Sequence, residues 1–217
     1  MGEGLFITFE GADGAGKTTQ IKHLAAYLEG QGKTVVVTRE PGGVPNGEAV
    51  RELLLSNPTQ PWSSLTEAFL IAAARAEHVR KLIQPSLNEG KVVICDRYSD
   101  STLAYQGYGR GVPLATLHEL VNMAEQGARP DLTIILDIDI AAAAGRVGSR
   151  GEAKTVFETT DNDFRTRVRN GFLDLAAGDP NRCRVVDADR EEATIAEEVE
   201  GLVKQFMDSR AGAVSHG

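Results

Sequence analysis

The chain has 217 residues, 41% of them apolar and 25% charged, a balance that fits one globular domain and excludes disorder as the main state. Its 31 acidic and 23 basic residues leave a net charge of −8, the wrong sign for a protein that coats a nucleic-acid polymer. Any anion it binds has to be held by a local cluster of donors. No apolar run approaches the roughly 18 residues of a membrane span, and Met1-Gly2-Glu3-Gly4 lacks the basic start of a signal peptide. The expected setting is the cytoplasm, with no membrane and no nucleic-acid partner. Cys95 and Cys183 sit in apolar runs without CxxC spacing or a nearby histidine cluster, and read as buried thiols of a reducing compartment.

In chain order, Leu5 to Glu10 is a short apolar strand ending in Gly11, followed by an amphipathic helix from about Lys17 to Gly30. The alternation then repeats. Strands are expected at Thr34 to Thr38, Lys91 to Asp96, Leu132 to Asp137 and Arg184 to Asp187, with helices at Leu65 to Asn88, Leu114 to Gln126, Ala141 to Val147 and Asp161 to Ala177. Five apolar strands separated by helical crossovers predict an α/β fold, a five-stranded parallel sheet covered by helices on both faces. No linker divides residues 1–208, which read as a single domain. Within it, the Gly-rich charged stretch 148–158 has few apolar residues to anchor it and is expected to be a mobile lid, while 209–217 is expected to fray.

Gly11-Ala12-Asp13-Gly14-Ala15-Gly16-Lys17-Thr18, continuing into Thr19, fits G-x-x-x-x-G-K-[ST] and stands between a predicted strand and a predicted helix. Glycines let the backbone N–H groups converge, the helix contributes its positive end, Lys17 reaches the terminal phosphates and Thr18 can ligate Mg²⁺. This is a loop for ATP, and it leaves open what receives the phosphate.

A second anion site is suggested by three arginines. Arg39 and Arg97 follow the second and third strands, and ligands bind at that edge of a parallel sheet. Arg75 interrupts an otherwise apolar helix. Three guanidiniums converging on one cleft suit a phosphate acceptor. The competing reading is a set of local ion pairs: Arg39 with Glu40, Arg75 with Glu77 and Arg97 with Asp96. Asp96 ends an apolar strand, where a carboxylate can hold Mg²⁺, and Asp137 is its rival.

The run Phe9-Glu10-Gly11 into the phosphate loop, then Thr38-Arg39-Glu40-Pro41-Gly42-Gly43, Ala73-Ala74-Arg75-Ala76-Glu77-His78, Asp96 through Gly107 and Pro130-Asp131-Leu132-Thr133 resembles the thymidylate kinases. The resemblance implies the P-loop fold of nucleoside monophosphate kinases and transfer of the γ-phosphoryl group of ATP to dTMP with Mg²⁺, in a homodimer packed through helices. It implies Arg97 on the dTMP phosphate with Arg39 nearby, Arg75 on the thymine edge, and Asp13 on the sugar 3′-hydroxyl. Tyr105 would crowd the 2′ position, and Leu55, Thr102 and Gln106 would line the pocket. Where the family stacks a phenylalanine on thymine this chain has Ile71, with Phe69 the nearest aromatic, so both are candidates. Gly14 occupies the place where some members carry a catalytic arginine. The lid is then expected to supply it through Arg150, with Arg146 and Lys154 as alternatives and Arg146 also able to stack on adenine.

Overall fold

The computed structural model describes residues 4–56, 61–143 and 162–214. Five strands form one sheet: β1 (Leu5–Gly11), β2 (Val35–Arg39), β3 (Val92–Asp96), β4 (Leu132–Asp137) and β5 (Cys183–Asp187). Their order is β2-β3-β1-β4-β5 and every pairing is parallel. The central strand is buried throughout because it is covered on both sides. Leu5, Ile7 and Phe9 face one apolar cluster with α1 (Lys17–Gly30) and the closing helix, whereas Phe6 faces another with Val79, Ile83 and Val93. This is the strand period of two, with both phases apolar.

Helix α1 presents Gln20, Ile21, Leu24 and Leu28 as a buried stripe at helical spacing. Helix α2 (Pro45–Leu55) starts with proline, whose missing N–H costs nothing in a first turn. Helix α3 (Ser64–His78) is capped by Ser63, which accepts the Thr66 N–H. A π-helical segment, Val79–Ile83, then leads into α4 (Gln84–Asn88), so the expected run from 65 to 88 is helical but not uniformly α. After β3 come α5 (Ser99–Thr102), a second π segment (Leu103–Gly109) and α6 (Leu114–Glu125). Helices α7 (Asn162–Gly178) and α8 (Glu192–Val214) flank β5.

Two element boundaries differ from those expected. Strand β2 starts and ends one residue later than expected, because its register is set by β3: Val35 pairs Val92 and Arg39 pairs Asp96. Helix α8 runs to Val214, so the segment from 209 to 214 is helical; Ile195, Val199 and Val203 anchor the first half of the helix in the core. Of the helix expected from Ala141 to Val147, residues 140–143 are helical, and the rest lies outside the described residues, as does the segment 148–158.

Candidate active site

The register brings the ends of β1, β2 and β3 level, since Asp96 pairs both Phe9 and Arg39. The chain leaves β1 through Gly11 at a φ of +129°, where a Cβ would lie 2.4 Å from the Leu136 carbonyl oxygen, so only glycine passes between the loop and β4. The loop then turns Lys17 inward, and its Nζ donates to the carbonyls of Gly11 (3.0 Å) and Ala12 (2.9 Å). Burial first, and then the neighbouring Arg97, lower the Lys17 pKa to about 8 against the pull of Asp96, Asp13 and Glu10. The Thr18 hydroxyl donates to Asp96 Oδ2 at 3.1 Å. Asp137, the rival carboxylate, accepts two bonds from Arg169 at 2.6 and 2.8 Å and does not line the cleft.

Arg97 is the non-glycine residue with the largest positive φ in the described chain, +68°. Its N–H donates to the Phe9 carbonyl, and the next N–H, of Tyr98, donates to Glu10 Oε1 at 2.7 Å. The guanidinium donates to Asp13 Oδ1 (2.6 Å), to the Gly11 carbonyl and to Ser101, and lies over the Tyr105 ring at 5.0 Å. Burial works against the charges of both partners. Nearby Tyr105 and Asp13 more than offset it for Arg97, whose pKa is raised, and Arg97 with Lys17 does the same for Asp13, whose pKa is lowered.

A cleft of about 340 Å³ opens here. Asp13, Gly14, Gly16, Lys17 and Thr18 line it from the loop, and Arg39, Arg75, Asp96 and Arg97 line it from the strand ends and α3. Leu55, Ile71, Thr102, Tyr105 and Gln106 form part of the wall, as do Glu40 and Tyr98. Gly11 and Ala12 contribute through carbonyls, Ala15 is packed into the core, and Thr19 sits half-buried in the first turn of α1. Phe69 is a correction: it is 55% exposed and does not line the cleft, because Ile71, two residues on, takes the inward position on α3. Arg146, Arg150 and Lys154 lie outside the described residues.

None of the local ion pairs set against the second anion site forms. Arg39 pairs with Glu48, Arg75 with Glu40 and Arg97 with Asp13. Glu77 instead serves Arg80 and Lys81. Arg51 was not anticipated. It lines the cleft from α2 and donates to the Pro41 carbonyl at 3.0 Å. The signal for it was Val44-Pro45 followed by Glu48, a helix start that puts Arg51 two turns on, facing the Arg39 loop.

A loop able to cradle a phosphate chain, facing arginines able to hold a second anion across one cleft, makes this a phosphotransferase of the P-loop class. The sequence matches the family model described as Thymidylate kinase over residues 9–199. It is 48% identical over 211 residues to the thymidylate kinase of Pelotomaculum thermopropionicum, covering 95% of this chain and 96% of that one. It is 46% identical over 205 residues to that of Deinococcus radiodurans, covering 94% and 98%. The crystal structure of thymidylate kinase from Ehrlichia chaffeensis superposes with a TM-score of 0.75 at 39% identity, over 93% of this chain and 99% of that one. The chain belongs to the thymidylate kinase family, and its reaction is the phosphorylation of dTMP to dTDP with ATP as co-substrate.

Proposed function

We propose that the cleft works as two facing compartments, ATP on the loop 11–18 and dTMP against the arginines. The observation that carries this reading is that Lys17, Arg97 and Arg75 line one continuous cavity. On this reading Lys17 exchanges the carbonyls of its own loop for phosphate oxygens, and Arg97, already oriented by Asp13, presents its fork to the dTMP phosphate with Arg39 and Arg51 adding positive charge. Asp13 and Tyr105 take the sugar, while Arg75, Ile71, Leu55, Thr102 and Gln106 take the base. Transfer is in-line between two held phosphates, with no covalent intermediate, so the protein supplies geometry and charge.

The oxygens of Thr18 and Asp96 lie side by side and suit a hard cation, so these two residues would hold Mg²⁺. Bound there, the ion would neutralise charge on the phosphates. Arg150, with Arg146 and Lys154 as alternatives, is assigned to the transferring phosphoryl group. Arg150→Ala is expected to lower kcat by roughly 10³-fold while the KM for dTMP changes little; a raised KM at unchanged kcat would make it a ligand contact instead.

A homodimer packed through helices belongs to the same reading. It is supported by Leu65 and Phe69, one turn apart on α3, and Met123 on the adjoining α6, all exposed. A cytoplasmic setting is supported by the two free, buried cysteines, Cys95 and Cys183. A steady-state panel of dTMP, dUMP, dGMP and thymidine with ATP tests the acceptor assignment. dTMP should have the highest kcat/KM, and thymidine, which lacks the phosphate for Arg97, should have almost none; comparable turnover of thymidine would overturn the arginine assignment.

A further inference from the structure

From Glu40, which lines the cleft beside Arg75, a chain of buried polar groups that the transfer chemistry does not use runs inward. Arg75 is 1% exposed, and its Nε donates to Glu40 Oε2 at 2.7 Å. The other oxygen of that carboxylate, Oε1, is 2.9 Å from His78 Nδ1, and His78 Nε2 is 2.7 Å from Thr38 Oγ1. A carboxylate oxygen can only accept, so Nδ1 carries the proton, and in the neutral ring Nε2 accepts from the Thr38 hydroxyl. The arrangement is closed by the turn after Pro41: a Cβ on Gly43 would lie 2.4 Å from His78 Nε2 and 2.5 Å from Thr38 Oγ1.

The consequence falls on the guanidinium. Its Nε is committed to Glu40 and its Nη2 to Thr102 Oγ1 at 3.1 Å, and it lies 4.9 Å over the Tyr98 ring. Nη1 is buried with no hydrogen-bond partner among the described residues. A planar fork held by Glu40, Thr102 and the Tyr98 ring keeps its remaining N–H groups in fixed directions, and a fixed donor distinguishes a ring carbonyl from a ring amino group. Glu40 bonds Arg75 through one oxygen only, so its own plane is set by what holds the other oxygen, which is His78.

We propose that Glu40 and His78, backed by Thr38, are positioning residues that set selectivity for the acceptor base by fixing the cleft-lining Arg75 guanidinium in one orientation toward a base carbonyl. This rests on the reading that Arg75 faces the base. Burial disfavours the Arg75 charge, and Glu40 together with Tyr98 and Glu125 more than offsets it, so the pKa is raised and the cation persists in place.

The test compares kcat/KM for dTMP with that for dCMP, which carries an amino group in place of the 4-carbonyl, in the full-length enzyme. His78→Leu removes the donor to Glu40, whereas His78→Asn places an amide N–H where Nδ1 stood. His78→Leu should raise the KM for dTMP roughly ten- to a hundredfold and compress the dTMP:dCMP ratio by a similar factor, with the KM for ATP and kcat within about threefold. His78→Asn should restore most of the ratio. Should His78→Leu depress both substrates and ATP equally, or Asn fail to rescue in an enzyme that still binds ATP, the role is merely structural and the proposal falls. Arg75→Gln is the separate check. If it leaves the ratio unchanged, the placement of Arg75 on the base is what fails, and the proposal with it.

Discussion

Arg97 adopts a backbone conformation that costs a non-glycine residue on the order of 1–3 kcal/mol, and the chain holds it there through Glu10. Glu10 accepts from the Tyr98 N–H with one oxygen and from the Ser101 hydroxyl with the other, at 2.5 Å. Burial first, and then Asp100, raise its pKa from 4.5 to about 7, against the lowering effect of Ser101, Arg97 and Tyr98. A raised carboxyl pKa means that the folded state binds the proton more tightly than the unfolded chain. The associated stability is complete below about 4.5 and is lost as pH rises through about 7. Relative to Glu10→Gln, which cannot titrate, the wild-type protein should therefore lose thermal stability across that window; a Tm difference that stays constant with pH would show that Glu10 keeps an ordinary pKa.

Lys17 carries the opposite shift. With its pKa lowered to about 8 in the ligand-free enzyme, kcat/KM for ATP should decline on the alkaline side near that value, and Lys17→Arg, though slower, should lack that limb. A wild-type profile that stays level a full unit higher would contradict the assignment. Both shifts arise from depth at the strand ends. Sequence places Lys17 in a motif, but the depth of Glu10 comes from the covering helices and is not written in its neighbours.

At the scale of elements, the phosphate loop works because β1 is central and α1 is pinned to the sheet by Leu24, which is fully buried. Leu24→Ala should cost roughly 2–5 kcal/mol, read as a lower denaturation midpoint at unchanged slope, with normal kcat for the folded fraction. A loss of kcat without loss of stability would mean that the helix acts on the loop directly. The strands and the loop were legible because they combine apolar runs with glycine and a spaced Lys-Thr. Helix α2 and its Arg51 escaped because the helix is short and only weakly apolar, burying Gly47 and Leu54. The partners of Arg39, Arg75 and Arg97 escaped for another reason: the nearest carboxylate in sequence is not the nearest in space, because α2 turns Glu48 back onto Arg39 and the fold sets Glu40 beside Arg75 and Asp13 beside Arg97. Phe69 and Ile71 were open alternatives until the rotation of α3 was fixed, since two residues on a helix face nearly opposite ways.

Across the whole molecule, one edge of the sheet carries the chemistry and the α3–α6 side carries exposed apolar groups. On the proposed dimer reading, Phe69→Glu, placed on that side and off the cleft, should shift the protein toward monomer in sedimentation while leaving the cleft residues in place. An unchanged mass would remove this face from the dimer reading.

The central claim is that the two anion sites are separate and opposed. Calorimetric titration of Arg97→Ala and Lys17→Ala, each with dTMP and with a non-hydrolysable ATP analogue, tests it most directly. Arg97→Ala should weaken dTMP by roughly a hundredfold and spare the analogue, and Lys17→Ala should do the reverse. Both variants weakening the same ligand, or unchanged dTMP affinity in Arg97→Ala, would contradict the account.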